Sequence, residues 1–287
     1  MSNPQIHAFI QARLSSSRLK GKVLKKISSK SIIELIHSRL NNSKFLDDII
    51  FLIPKNKSSF QLKNFLKKKK FNFFAGSENN VLSRYHMAMR ENKSDIILRI
   101  TADCPLIDHH IVDRMIKEFL KKDYDYFSNT YLTSFPDGFD IEIFSSKCLK
   151  KLFKSVKSSF DKEHVTSYIK NNKRKFNCGY FASSNDYSDF RLTIDYEKDL
   201  KRIREIYRKN IRNTSSIKIL KSLKSVQSPK NDNRNIHIEN KNKYLWKKAL
   251  KIIPTGNQFK SKNPRTFDEE NWPAYFNKSK GVNIWDL

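Results

Sequence analysis

Cysteine, glycine and acidic side chains are all scarce in this 287-residue chain. Cys104, Cys148 and Cys178 are widely spaced and form no C-x-x-C pair, which excludes a disulfide framework and a cysteine zinc site. Six glycines leave no G-x-x-x-x-G-K-S/T phosphate loop. No apolar run approaches the roughly 20 residues that span a bilayer, and no basic stretch followed by an apolar one opens the chain. These absences predict a reduced, cytoplasmic protein. Acidic residues number 29 against 57 Lys and Arg, a formal charge of +28. That invites a nucleic-acid reading. The lysines, however, are spread over the whole chain beside abundant Asn, Ile and Phe. Codon supply in a genome drifting toward A and T produces this pattern, whereas basic surfaces that bind are clustered on one face. No specific nucleic-acid site is expected.

Hydrophobic residues at 38% and aromatics at 12% suffice for a real core. Apolar runs at His7–Ile10, Asp48–Pro54, Phe71–Phe74, Asp95–Ile100 and Tyr124–Ser128 read as strands. Between them lie helical patterns, of which Ile32, Ile33, Leu35, Ile36 and Leu40 are one. Strand and helix alternating over short connections predict an α/β fold: a mostly parallel, Rossmann-like sheet covered on both faces. Ile141–Phe144 and Phe190–Ile194 read as later strands around a polar insert, a small substrate lobe. The segments 1–212, 213–240 and 241–287 read as the main domain, a Ser-, Asn- and Lys-rich linker and a separate tail.

In open α/β sheets, ligands bind beyond the carboxyl ends of the strands, and two loops there carry chemistry. The first, Gln11 to Leu24, holds Arg13, Arg18, Lys20 and Lys22 among Ser15, Ser16 and Ser17. Guanidinium forks and lysine charges match phosphate oxygens; the plainer alternative is a solvated basic loop. The second, Arg99 to Asp108, places Asp103 just after a buried strand and before Pro105. Such a carboxylate suits Mg²⁺, which takes one or two carboxylates and completes its shell with phosphates and water. Here the alternative is that Asp103 turns the chain and Asp108 caps a helix. A third run, Arg191 to Leu200, ends a strand-like segment in Asp195 before a helix, which alone would be an ordinary cap. Two strand-end carboxylates facing a basic loop can together hold a metal–triphosphate complex.

Residues 6 to about 210 resemble the cytidylyltransferases related to the spore coat polysaccharide biosynthesis protein F, kin of the enzymes that make CMP-activated acid sugars. The family loop Q-A-R-x-x-S-S/T-R-L-P-G-K-V-L is met from Gln11 to Leu24, and G-S-E-x-x-V-L-x-R-Y from Gly76 to Tyr85. R-I-T-G-D-C-P-L-I-D is met from Arg99 to Asp108, and P-D-G-x-D-x-E-x-F from Pro136 to Phe144. E-H-V-T is met from Glu163 to Thr166, and R-L-T-x-D from Arg191 to Asp195. Lys20 departs from the loop proline, Ala102 from a glycine, and Tyr196-Glu197 from Thr-Pro. Ala102 would crowd a nucleotide if the backbone there required close approach or φ > 0.

The resemblance implies nucleotidyl transfer, in which CTP and a sugar give a CMP- or CDP-sugar and pyrophosphate for surface polysaccharide. It assigns Arg13, Arg18 and Lys22 to the triphosphate, with Arg18, Lys22 and Asp103 as the catalytic set. Gln11, Ala12 and Thr101 lie where the family reads base and ribose, and Asp103 and Asp195 would hold Mg²⁺. Asp137, Asp140 and Glu142 are acceptor-side candidates, the last two sharing a strand face by the period of two. Carboxylates there favour sugar hydroxyls or an amine over a second carboxylate. His164 lines the acceptor pocket or is satisfied by a local hydrogen bond. Alternatives are a nucleotide-sugar-dependent glycosyltransferase and a non-catalytic polyanion-binding protein. The tail, Tyr244 to Gly256 and Lys280 to Leu287, resembles the opening of a class III, glutamate-1-semialdehyde-type aminotransferase, without its pyridoxal-phosphate body. It implies an appendage that docks a separately encoded aminotransferase or supports a homodimer.

Overall fold

The computed structural model describes residues 3–132, 134–208 and 219, and the backbone of 276–280 and 283–286. The chain divides into two units, Met1–Lys224 and Ser225–Leu287. In the first, β1 (Ile6–Gln11), β4 (Asp48–Pro54), β5 (Asn72–Gly76), β6 (Ile96–Thr101), β7 (Tyr126–Ser128), β8 (Glu142–Ser145) and β9 (Cys178–Tyr180) form one sheet in the order β5-β4-β1-β6-β8-β7-β9. Only β8 runs against its neighbours. The sheet is thus mostly parallel, and a two-residue pair, β2 (Lys26–Ile27) with β3 (Lys30–Ser31), stands apart from it.

The strands read as apolar runs because both faces are covered. On one side Ala8 and Ile10 pack with α1 (Ile32–Leu40), α2 (Phe60–Lys68), α4 (His109–Leu120) and α8 (Glu197–Arg208). On the other, Phe9 and Leu52 pack with α3 (Val81–Glu91), α5 (Ser146–Ser155) and α7 (Ser167–Asn171). A further short helix, α6 (Ser159–His164), precedes α7. Helix starts follow local chemistry. Ser31 and Glu34 form a reciprocal capping box on α1, and Asp108 caps α4 by accepting the His110 N–H at 2.8 Å. Asp108 is therefore a cap, as the plainer alternative had it.

Phe190–Ile194 is not a strand. Only a single bridge, Asp137 to Arg191, forms there, and beside it Gly138 packs directly on the Leu192–Thr193 backbone. Gly138 has φ +105, and a Cβ there would lie 2.6 Å from Leu192 C and Thr193 N. Gly21 has φ +63 but open space around it. Gly138→Ala should therefore destabilise the chain by more than the roughly 1–2 kcal/mol of a left-handed alanine, while Gly21→Ala stays within that cost. Urea denaturation compares the two, and equal losses would remove the steric argument.

The cysteines are free, and among the described residues no helix is long and apolar enough to cross a membrane. In the second unit, β10 (Phe276–Lys280) and β11 (Asn283–Asp286) pair antiparallel. The rest of the aminotransferase-like stretch lies outside the described residues.

Candidate functional site

Gln11 ends β1 in register with Thr101, which ends β6, so the loops that follow leave the sheet side by side. Ala102 continues the ladder, donating its N–H to the Gln11 carbonyl at 3.1 Å. It is not among the residues with positive φ, so the glycine-to-alanine departure brings no backbone strain. The loop after β1 folds over this edge, and the two loops enclose a cavity of about 260 Å³. Gln11, Arg13, Arg18, Lys22, Thr101, Ala102, Asp103 and Asp195 line it, with the three serines of the loop. Ala12 does not: 1% exposed, it lies behind the wall, its N–H donated to the Leu52 carbonyl at 3.1 Å.

Lys22 is the centre of the site. Its Nζ lies 2.7 Å from Asp103 Oδ2, 2.9 Å from Asp195 Oδ1 and 3.0 Å from the Ile194 carbonyl. Burial works against this ammonium, but Asp103 and Asp195 outweigh it and hold its pKa above the usual lysine value. Asp195 also meets Arg18 Nη2 at 3.2 Å and Arg191 Nη2 at 2.7 Å. Burial alone would raise its carboxyl; Lys22, Arg191 and Arg18 instead hold it below the usual range. The Asp195 backbone is fixed by Asp199, whose Oδ2 accepts the N–H groups of Asp195 at 3.0 Å and Tyr196 at 2.9 Å.

Three oxygens converging on one cation form a hard donor set that fits a divalent ion of the Mg²⁺ kind. Cations beside them match a polyphosphate. The arrangement can thus neutralise and orient a metal–polyphosphate complex at a sheet edge.

A family model described as Cytidylyltransferase matches residues 7–250. The chain belongs to the cytidylyltransferase family. An uncharacterized protein of Methanocaldococcus jannaschii is 36% identical over 200 residues, covering 69% of this chain and 81% of that one. The spore coat polysaccharide biosynthesis protein SpsF of Bacillus subtilis is 29% identical over 208 residues, covering 70% and 85%. A solved cytidylyltransferase from Leptospira borgpetersenii superposes with a TM-score of 0.76 at 29% identity, covering 82% of this chain and 100% of that one.

In this cytidylyltransferase the acceptor-side candidates separate. Asp137 pairs with Arg191 Nη1. Burial, with Asp103, Asp195 and Asp199, raises its carboxyl against the pull of Arg191. Asp140 is exposed to solvent yet densely surrounded by protein. That desolvation, with Asp137, Glu142 and Asp103, pushes it up to about 7, Lys170 opposing. Glu142 does not share its setting, because β8 begins only at Glu142 and Asp140 lies in the loop before it. Glu142 is 2% exposed. Its oxygens are taken by Tyr126 Oη at 2.5 Å, Thr166 Oγ1 at 2.8 Å, Lys170 Nζ at 3.0 Å and Arg99. Buried and paired in this way, it offers a sugar no accessible oxygen, which corrects the expectation that it meets the acceptor. His164 is exposed at the end of α6, its ring 4.3 Å from that of Phe160, and it lines no part of the cavity.

Sequence reasoning passed over Arg191 and Asp199. Arg191 joins Asp137 to Asp195 across the site, and it stands four residues before Asp195 at the head of the R-L-T-I-D phrase. A cation at that spacing from a proposed metal ligand was the available signal.

Proposed function

We propose that the chain transfers a cytidylyl group from CTP to a sugar, releasing pyrophosphate and supplying an activated sugar for surface polysaccharide. The observation that carries this is the convergence of Lys22, Arg18 and Arg13 with Asp103 and Asp195 at one sheet-edge cavity. The acceptor oxygen attacks the α-phosphorus in line, so the protein's task is to position both reactants and neutralise charge. Arg13 and Arg18 face the triphosphate from the first loop, and Gln11 and Thr101 form the floor at the strand ends. Asp103 and Asp195 would hold Mg²⁺. When bound, the ion neutralises phosphate oxygens and lowers the cost of the developing negative charge.

Lys22 has a particular part in this scheme. Without ligand its ammonium is the counter-charge of Asp103 and Asp195. A metal–triphosphate complex offers those carboxylates another cation and Lys22 an anionic partner, so its charge is compensated in both states. Lys22→Met is expected to weaken CTP binding in the presence of Mg²⁺ by about 1.5–3 kcal/mol, or about 10- to 150-fold. Lys68→Ala, on the outer end of α2, should leave it unchanged. Calorimetry with CTP, UTP, ATP and GTP, each with Mg²⁺, tests the assignment directly, and CTP should bind most tightly. Equal losses for the Lys68 and Lys22 variants would replace it with a diffuse polyanion surface. Glycosyl transfer from a nucleotide sugar without pyrophosphate release would replace it with the glycosyltransferase alternative.

A further inference from the structure

A second cavity, of about 650 Å³, opens between α3 and α5. At its base the Ser146 N–H is donated to the Asp95 carbonyl at 2.7 Å. Asp95 directly precedes β6 and Ser146 directly follows β8, which runs antiparallel to β6. The cavity therefore lies at the opposite end of β6 from Thr101 and Asp103. The six residues of β6 span about 20 Å, so a molecule held here is out of reach of the transfer chemistry.

Both walls are cationic. Arg90 stands near the end of α3 with Lys93 just beyond it, and Lys150 and Lys154 are one turn apart on α5. All four are exposed, and among the described residues none makes an ion pair or a side-chain hydrogen bond. The carboxylate that joins them in the lining, Asp95, already accepts the Gln5 N–H at 2.9 Å. Like charges one turn apart weaken a helix, and two cationic walls facing across a cavity repel each other. The fold gains nothing from this arrangement, whereas an anion between the walls relieves it. Between the cations lies a flat apolar surface. The rings of His86 and Phe153 stack at 4.1 Å with their planes 1° apart, and Phe153 remains 40% exposed. Burial, then Arg90 and Lys150, hold the His86 pKa below its usual value, so the ring adds no charge of its own at pH 7.

We propose that this groove is a second binding site, for a small phosphate ester of a ring compound, either a sugar phosphate or a nucleotide. Cations from both walls receive the phosphate oxygens, and the Phe153–His86 surface takes the ring. The volume is that of a small-ligand pocket, which favours a single phosphorylated molecule over a polymer.

The test is calorimetry on the full chain without Mg²⁺, using glucose 6-phosphate and UMP as probes beside uncharged glucose and uridine. At least one ester should bind and the uncharged compounds should not; the tighter ester identifies the source. Arg90→Ala with Lys150→Ala should weaken that binding at least about tenfold without lowering the melting temperature. Lys22→Met, in the transfer cavity, should leave it unchanged. So should Lys63→Ala with Lys67→Ala, two exposed lysines of α2. Failure of both esters to bind at millimolar concentration would overturn the proposal, as would equal binding of the uncharged compounds. Loss of binding in Lys22→Met, with none in the groove variant, would return the phosphate to the transfer cavity. Equal losses in the groove and α2 variants would replace the site with a diffuse basic surface. A single-stranded oligonucleotide that binds through Arg90 and Lys150 while both esters fail would make the groove a polymer surface instead.

Discussion

Asp103→Asn and Asp195→Asn should each reduce pyrophosphate release by about a thousandfold or more, roughly 4 kcal/mol of transition-state stabilisation. Each amide removes one formal charge from the pair of carboxylates that converge on Lys22 Nζ. A neutral amide oxygen is a poor ligand for a hard divalent ion, and the ammonium of Lys22 then has half its counter-charge. The two variants should differ in stability. Asp103 is paired with Lys22, whereas Asp195 compensates Lys22, Arg18 and Arg191 together. Asp195→Asn should therefore lower the melting temperature slightly, and Asp103→Asn should not. The measurement is pyrophosphate release at saturating Mg²⁺ beside a thermal melt of each variant. Near-parental turnover in a folded variant would remove that residue from the metal site.

The parts of the fold that were legible in the sequence are those fixed by local pattern. Continuous apolar runs marked β1, β4 and β6, since strands covered on both faces lose the period of two. The loop after β1 and the aspartate after β6 could be placed at one edge because parallel topology sends both loops the same way. Other features depend on distant partners. The three-residue β9 and the two-residue β2 and β3 are too short to carry a pattern of their own. Asp140 and Glu142, two apart, looked equivalent by strand periodicity. What separates them is Tyr126, Arg99 and Thr166, which lie 16, 43 and 24 residues from Glu142 in sequence. No local rule distinguishes a carboxylate that will be surrounded by donors from one that will be left facing solvent. The role of Arg191 was hidden similarly: its link to Asp137 spans 54 residues.

Glu142→Gln should cost about 3–5 kcal/mol of folding free energy at pH 7, the penalty for breaking a buried ion pair by removing one partner. The amide keeps the shape and some hydrogen bonding with Tyr126 and Thr166, but it leaves Arg99 without its counter-charge in the sheet. Acid titration gives an independent reading. Burial alone would raise the Glu142 carboxyl, but Arg99, Lys170 and Tyr126 outweigh it and hold it at about 2, against an ordinary 4.5. A carboxylate depressed in the folded chain contributes stability that is fully present above the unfolded value and lost as pH falls toward the folded one. That difference corresponds to roughly 3 kcal/mol. The gap between parent and variant should thus be widest above about pH 5 and shrink steadily toward pH 2, as urea denaturation across that range would show. Replacing both partners, Arg99→Met with Glu142→Met, should recover part of the loss, since the buried charge left unpaired is the main penalty. Recovery will be incomplete because Lys170 and Thr166 also lose Glu142, and those residues fasten the start of α7 to β8. If Glu142→Gln lies within 1 kcal/mol of the parent at pH 7, or keeps the parent's acid response, the buried network is not what fastens α7 to β8.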